Sequence, residues 1–367
     1  LITGPRQAGK STLLTHLLND YRYITLDDPL IRKAALDDPE LFLSENPPPL
    51  IIDEVQYAPE LFSHMKMRID SKRQTYGQYV LTGSQTFQLM KGVSESLAGR
   101  IAIFQLYPFC WSEIQSRDSS DLPKRMLEGF YPEFFINPEI IPNRWFGSYL
   151  NSYIERDLRN LKAIADLNRF QTYIQLLAYR SGQLLNLSEV CKECGISQTT
   201  AKDWLSVLES TYIVHILRPY FKNQTKRLVK SPKIYFVDTG LLCYLLGIDS
   251  AEQLQKSPFR GHLFENMIVM DFVKQFAYDP SRTQFHFYRT ANGVEVDLLI
   301  EKGGDLFAFE IKHSQSPSPD FIQPIKLFAK EHLVKKAYLL NLREQPLFLS
   351  ENIEAIHWKS GLTLFDS

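Results

Sequence analysis

The chain has 367 residues, 44% of them hydrophobic, a formal net charge of −1 and four cysteines. That length supports two or three cores rather than one small module, and near-neutrality leaves any nucleic-acid partner to be argued from local patches. Four cysteines are too few for a disulfide scaffold, no apolar run approaches the roughly 20 residues that span a bilayer, and no signal-peptide pattern opens the chain; a cytoplasmic protein without a membrane partner is expected.

In chain order, the apolar Leu1-Ile2-Thr3 reads as a strand and residues 4–11, Gly4-Pro5-Arg6-Gln7-Ala8-Gly9-Lys10-Ser11, match G-x-x-x-x-G-K-[ST]. Glycines let backbone N–H groups turn inward around phosphates, Lys10 adds a compact positive charge, and the Ser11 hydroxyl suits Mg²⁺. An apolar-periodic helix follows from Ser11. Because the chain opens inside what should be a central strand, further residues are expected before Leu1. A strand at 21–26 and helices at 30–43 and 58–72 flank Leu50-Ile51-Ile52-Asp53-Glu54, an apolar strand ending in two carboxylates. There Asp53 would hold Mg²⁺ through its water shell and Glu54 would orient and deprotonate the attacking water. A third strand ends at Thr82-Gly83-Ser84-Gln85, where Ser84 or Gln85 could reach a phosphate oxygen or the water. Alternating strands and helices predict a parallel sheet covered on both faces. By analogy with P-loop proteins that place a catalytic Glu after this second strand, the Ser84 strand should lie between the other two. Arg100, after Ser96-Leu97-Ala98-Gly99, is a candidate to stabilise charge on the transferring phosphoryl group, in the same chain or in a neighbouring subunit of a homo-oligomer. The alternative is an ordinary salt-bridged arginine.

From residue 145 the pattern is helical, first as a connector over 145–163 and 167–181. Residues 187–209 then read as helix-turn-helix: Ser188 as cap, Gly195 at the turn, Ser197 as second cap. Thr199 and Lys202 on the second helix are candidate DNA contacts, as are Lys226, Arg227 and Lys230 in the acid-free segment 218–233, which could form a wing. Winged helices also bind proteins, so a scaffold remains a separate reading. Cys191 and Cys194 have no second pair or nearby His and are read as helical thiols.

The last hundred residues run helix 261–276, strands 284–289, 294–301 and 306–314, helix 319–331 and strand 335–341, the core order of PD-(D/E)xK nucleases. Glu310 and Lys312, two apart on a strand, share a face; with Asp297 from the preceding strand and Glu265 from the first helix they make a candidate Mg²⁺-dependent nuclease site. Glu295 and Glu301 read as decoration of a wet face, and the whole hairpin could be no more than that.

In series, the phosphate loop, Leu50-Ile51-Ile52-Asp53-Glu54-Val55-Gln56, Leu81-Thr82-Gly83-Ser84-Gln85, Ser96-Leu97-Ala98-Gly99-Arg100, Tyr153-Ile154-Glu155-Arg156-Asp157, the stretch from Lys226 to Leu242 and Gly293-Val294-Glu295-Val296-Asp297 resemble the bacterial and archaeal AAA-superfamily ATP-binding proteins whose carboxy-terminal half is a domain of uncharacterised function. The resemblance covers nearly the whole chain. It implies ATP binding through Gly4, Pro5, Arg6, Gln7, Ala8, Gly9, Lys10, Ser11 and Thr12, Walker B roles for Asp53 and Glu54, and a tail of winged helix plus nuclease-like core. The expected architecture is α/β throughout: a P-loop NTPase domain with an AAA-like parallel sheet over 1–145, a helical connector over 146–186, a winged helix over 187–258 and a PD-(D/E)xK-like domain over 259–367. The expected function is a Mg²⁺-dependent ATPase, with ATP as ligand, coupled to a DNA-binding, nuclease-like module. An ATP-gated nuclease and a nucleotide-sensing protein scaffold are the alternatives.

Overall fold

The computed structural model describes residues 1–83, 93, 95–116, 118, 120–154, 166–220, 230–279 and 283–365. The chain divides into a first unit of Leu1–Pro108 with Ser210–Tyr212 and a second of Phe109–Glu209 with Ile213–Ser367.

The first unit is built on a five-stranded sheet of β1 (Ile2–Thr3), β2 (Arg22–Thr25), β3 (Leu50–Asp53), β4 (Tyr79–Gly83) and β5 (Phe104–Gln105) in the order β2-β3-β4-β1-β5. Every pairing is parallel, with Ile2 opposite Thr82 and Ile52 opposite Leu81. β4 lies between β1 and β3, as the sequence reading expects, so the carboxyl ends of the strands leading to Gly4 and to Asp53 flank that of β4. β3 is buried along its whole length, which is why it reads as a continuous apolar run rather than an alternating one. Its side chains join Leu26, Leu43, Leu61, Phe62 and Leu81 in the core. The helix expected over 30–43 is two helices, Pro29–Asp37 and Pro39–Glu45. Asp38 ends the first and caps the second by accepting from Leu41 N at 2.9 Å, and Pro39 at its first position has no N–H to continue the earlier ladder.

The second unit contains an eight-stranded mixed sheet of β6 (Val214–Pro219), β7 (Lys233–Phe236), β8 (Gln284–Arg289), β9 (Glu295–Lys302), β10 (Asp305–Ile311), β11 (Lys336–Asn341), β12 (Leu347–Ser350) and β13 (Ile353–His357). The order is β12-β13-β11-β10-β9-β8-β6-β7. β8, β9 and β10 pair antiparallel in succession, and β10 pairs parallel to β11. The strands that follow the helix-turn-helix segment therefore belong to the same sheet as the carboxy-terminal strands, joined by the parallel pairing of β6 with β8. Helices Leu187–Cys194 and Gln198–Ser210 are present, with Gly195 at φ 67° between them. The first cap is Asn186, not Ser188: its side chain accepts from Ser188 N at 3.2 Å, placing Ser188 inside the first turn. Among the described residues no helix is long and apolar enough to cross a membrane.

Candidate functional site

The loop from Gly4 to Lys10 takes its shape from backbone conformations that glycine supplies. Gly4 has φ 145° and lies so close to the Leu106 carbonyl oxygen that an added Cβ would collide with it; Gly9 has φ 89° and Gln7 φ 59°. Helix Lys10–Leu17 then starts with no side chain capping its first turn, so its leading N–H groups remain available to an anion. Lys10 is buried to 7% exposure and its Nζ donates to the Gly4 and Pro5 carbonyls at 3.0 and 2.7 Å. The ammonium is thereby held over the loop it would share with phosphate oxygens.

Beside it, Ser11 Oγ donates to Asp53 Oδ2 at 2.8 Å and Tyr23 OH donates to the same oxygen at 2.5 Å, while Thr82 Oγ1 donates to Asp53 Oδ1. Burial and then the Asp53 carboxylate push the Tyr23 phenol up to about 12, so it stays a donor at neutral pH. Glu54 adopts φ 56°, ψ 43°, a left-handed conformation uncommon for a residue with a Cβ. Its N–H donates to Thr82 Oγ1 at 3.3 Å and its Oε2 accepts from Gln56 Nε2. Tyr23, Thr82 and Gln56 were not singled out by sequence; Tyr23 and Thr82 meet Asp53 from the strands on either side of β3, and Gln56 lies in the turn that follows Glu54. Compact oxygen donors on Ser11 and Asp53 suit a hard cation, and an open helix start beside a buried ammonium suits phosphates, so these residues fit Mg²⁺ and a nucleotide. Ser84 lies outside the described residues. Arg100 is engaged elsewhere, donating to both carboxylate oxygens of Asp70 at 2.7 and 3.0 Å and to Ala98 O at 3.1 Å.

In the second unit Asp297, Glu310 and Lys312 come together: Lys312 Nζ lies 2.9 Å from Asp297 Oδ2 and 2.7 Å from Glu310 Oε1. Glu265, from helix Arg260–Gln275, reaches this group through Tyr235, which the sequence reading missed, and Lys233, which it counted in the basic segment 218–233 and which is buried here. Lys233 Nζ is 2.9 Å from Glu265 Oε1 and 2.6 Å from Glu295 Oε1, and Tyr235 OH donates to Glu265 Oε1 at 2.7 Å. Glu295, read as surface decoration, is a member of the cluster. Lys233 and Tyr235 are two apart on β7 and so share a face; that alternation was the available signal. Asn266 holds β7 in place, donating to Phe236 O at 2.9 Å and accepting from Phe236 N at 2.8 Å. Burial alone would raise the Asp297 carboxyl, but Lys312, Lys233 and the Ile311 N–H hold it below the ordinary range. Burial and the adjacent Asp297 push Glu310 well above that range. Lys233 stays charged: the surrounding acids, Glu265 first, outweigh its burial. The acids do not fit Mg²⁺ as placed, because ammonium groups stand between them, and among the described residues no three His, Cys, Asp or Glu side chains converge as a ligand set. Thr199, Lys202 and Lys230 are exposed; Lys226 and Arg227 lie outside the described residues.

Comparison with known proteins agrees with the geometry of the first unit. Residues 1–115 match the family described as an AAA domain, and residues 119–252 and 260–360 match two domains of unknown function, DUF8612 and DUF4143. The uncharacterized proteins Mb2031c of Mycobacterium bovis and Rv2008c of Mycobacterium tuberculosis are each 33% identical over 319 residues, covering 87% of this chain and 71% of theirs. The crystal structure of protein VC1899 from Vibrio cholerae aligns along 99% of this chain and 96% of its own at 13% identity, with a TM-score of 0.22, too low to support a shared fold.

Proposed function

The chain belongs to the family of the mycobacterial proteins Mb2031c and Rv2008c, with an AAA domain at residues 1–115, and from that premise we propose that it is a Mg²⁺-dependent ATPase whose nucleotide state governs a DNA-contacting carboxy-terminal half. The observation that carries this reading is the Ser11–Asp53 hydrogen bond of 2.8 Å beside the buried Lys10 ammonium. On it, the residues divide the work. Lys10 turns its ammonium from the Gly4 and Pro5 carbonyls to phosphate oxygens, the N–H groups of the loop and first helical turn complete the cradle, and Ser11 and Asp53 hold the cation. Bound Mg²⁺ supplies charge neutralisation on the phosphates. Glu54, fixed by Gln56, takes the proton of the attacking water. Ser84 as phosphate sensor, and Arg100 acting on a neighbouring copy after release from Asp70, belong to the same proposal. ATP turnover and binding in the wild type and in Lys10→Ala test it: turnover should fall about 100-fold or more with the charge removed, and hydrolysis that is independent of Lys10 refutes it.

DNA contact rests on the exposure of Thr199, Lys202 and Lys230. Neutralising Lys202 and Lys230 together should weaken duplex binding and flatten its salt dependence by roughly one to two counterions. Binding that lacks any salt dependence would instead favour the protein-scaffold reading.

Nuclease activity is a second reading: Lys312 draws Asp297 and Glu310 together, and Mg²⁺ would enter only by displacing the ammonium groups that stand between the acids. Cleavage of DNA or RNA that requires Mg²⁺ and disappears in both Asp297→Ala and Glu310→Ala is its expected result; cleavage surviving both rejects it.

A further inference from the structure

Four carboxylates, Glu265, Glu295, Asp297 and Glu310, face one another across β9, β10 and helix Arg260–Gln275, and they are compensated by two lysines that differ in kind. Lys312 reaches in from beyond the end of β10 with its side chain 31% exposed, so its stem can swing into solvent. The Lys233 side chain is 2% exposed. Its strand is pinned along one edge by Gly182 N donating to Ile234 O and Leu185 N donating to Pro232 O, each at 2.8 Å, and by the two bonds of Asn266 to Phe236, and along the other edge by antiparallel pairing with β6. Its Nζ sits where three acids meet, 2.9 Å from Glu265, 2.6 Å from Glu295 and 4.0 Å from Asp297 Oδ1. Glu265 and Glu295 stand within about 1 Å of the separation a divalent ion requires, and Asp297 would have to close in by about 2 Å. Glu310 is 4% exposed; its Oε1 meets Lys312, while its Oε2 is buried with no hydrogen-bond partner among the described residues.

We propose that the Lys233 ammonium is a resident cation standing in for a divalent ion, so that this cluster takes up Mn²⁺ or Mg²⁺ only when Lys233 is removed. Shared occupancy is opposed by charge: an ion among the same oxygens would lie within contact distance of a fixed, buried ammonium. The inference rests on the nuclease-like reading only for the location of the site, and cation binding rather than cleavage is its readout.

The test is Mn²⁺ binding by electron paramagnetic resonance to the full chain without nucleotide, in the wild type, Lys233→Met, and Lys233→Met combined with Asp297→Asn. Methionine keeps most of the stem and leaves the Nζ position open. Lys233→Met should gain one Mn²⁺ bound about tenfold or more tighter than anything in the wild type, the second substitution should remove it, and Mn²⁺ should raise the thermal midpoint of Lys233→Met but not of the wild type. If Lys233→Met folds only when refolded with Mn²⁺, the proposal stands in its strongest form. It is overturned by a wild-type Mn²⁺ site that Asp297→Asn abolishes, by a folded Lys233→Met that gains no site, or by a Lys233→Met that saturating Mn²⁺ does not fold. Wild-type cleavage dependent on Mg²⁺ and Asp297 would overturn this proposal while supporting the nuclease reading. A Mn²⁺ site gained in Lys233→Met without wild-type cleavage would do the reverse.

Discussion

Replacing Asp53 by Asn removes one charge from a carboxylate that three hydroxyls address: Ser11 and Tyr23 on Oδ2, and Thr82 on Oδ1. Asparagine retains a single acceptor oxygen, so whichever way the amide turns, at least one hydroxyl meets an NH₂ instead of an oxygen and must rotate to accept. The expected loss is one hydrogen bond to a charged group, about 1.5–3 kcal/mol. In a chain of this size, unfolding as one unit, that lowers the thermal midpoint by roughly 2–4 °C. The effect on nucleotide handling should be larger and separable. Wild-type protein should bind ATP more tightly with Mg²⁺ than with a chelator, and Asp53→Asn should bind the two forms alike while hydrolysis falls about 100-fold or more. Calorimetric titration with and without Mg²⁺, together with phosphate release, reads both quantities. An Asp53→Asn variant with undiminished Mg²⁺-dependent turnover, or with stability within about 0.5 kcal/mol of the wild type, refutes the reasoning.

Gly4→Ala should lose about 2–4 kcal/mol, since its φ of 145° and the Leu106 carbonyl leave no room for a methyl group, and the distorted loop should no longer retain ATP on a filter; a normally stable, ATP-binding variant would contradict this. Glu54→Gly should leave stability within about 1 kcal/mol in denaturant titrations, because relief of the left-handed conformation offsets the added chain entropy, while turnover is abolished. Burial and then Arg218 pull the His215 imidazole from 6.5 down to about 4. Between those values the unfolded chain binds a proton that the folded chain does not, so stability is complete above about 6.5 and is lost as pH falls toward 4. The loss amounts to at most about 3 kcal/mol. Urea unfolding at pH 7 and 4.5 should show that loss in the wild type and less of it in His215→Gln; equal pH slopes would exclude His215 as the source.

How much was legible depended on whether the information was local. The phosphate loop could be read because its geometry resides in consecutive residues, with glycines at positions 4 and 9 supplying backbone angles that other side chains resist. Asp53 and Glu54 could be read because they end a strand whose apolar run shows that both its faces are buried. The secondary structure from Arg260 to Asn341 follows closely from hydrophobic period, and Glu310 and Lys312 were correctly put on one face. Tyr23 and Thr82, the companions of Asp53, come from strands on either side of β3, and nothing local announces them.

Lys233 shows the same boundary more sharply. By itself the sequence determined a phosphate loop, an acidic strand end, and a strand on which Glu310 and Lys312 share a face, because backbone geometry and the period of a strand are properties of neighbouring residues. Only the tertiary structure decided that Lys233 faces Glu265, Glu295 and Asp297 rather than water, that Glu295 is a partner rather than decoration, and that Arg100 lies on Asp70. The placements of Lys233 and Glu295 follow from the pairing of β6 with β8 and from the seating of helix Arg260–Gln275 against β7. Such long-range packing sets the charge around a side chain, and with it the chemistry of which that side chain is capable.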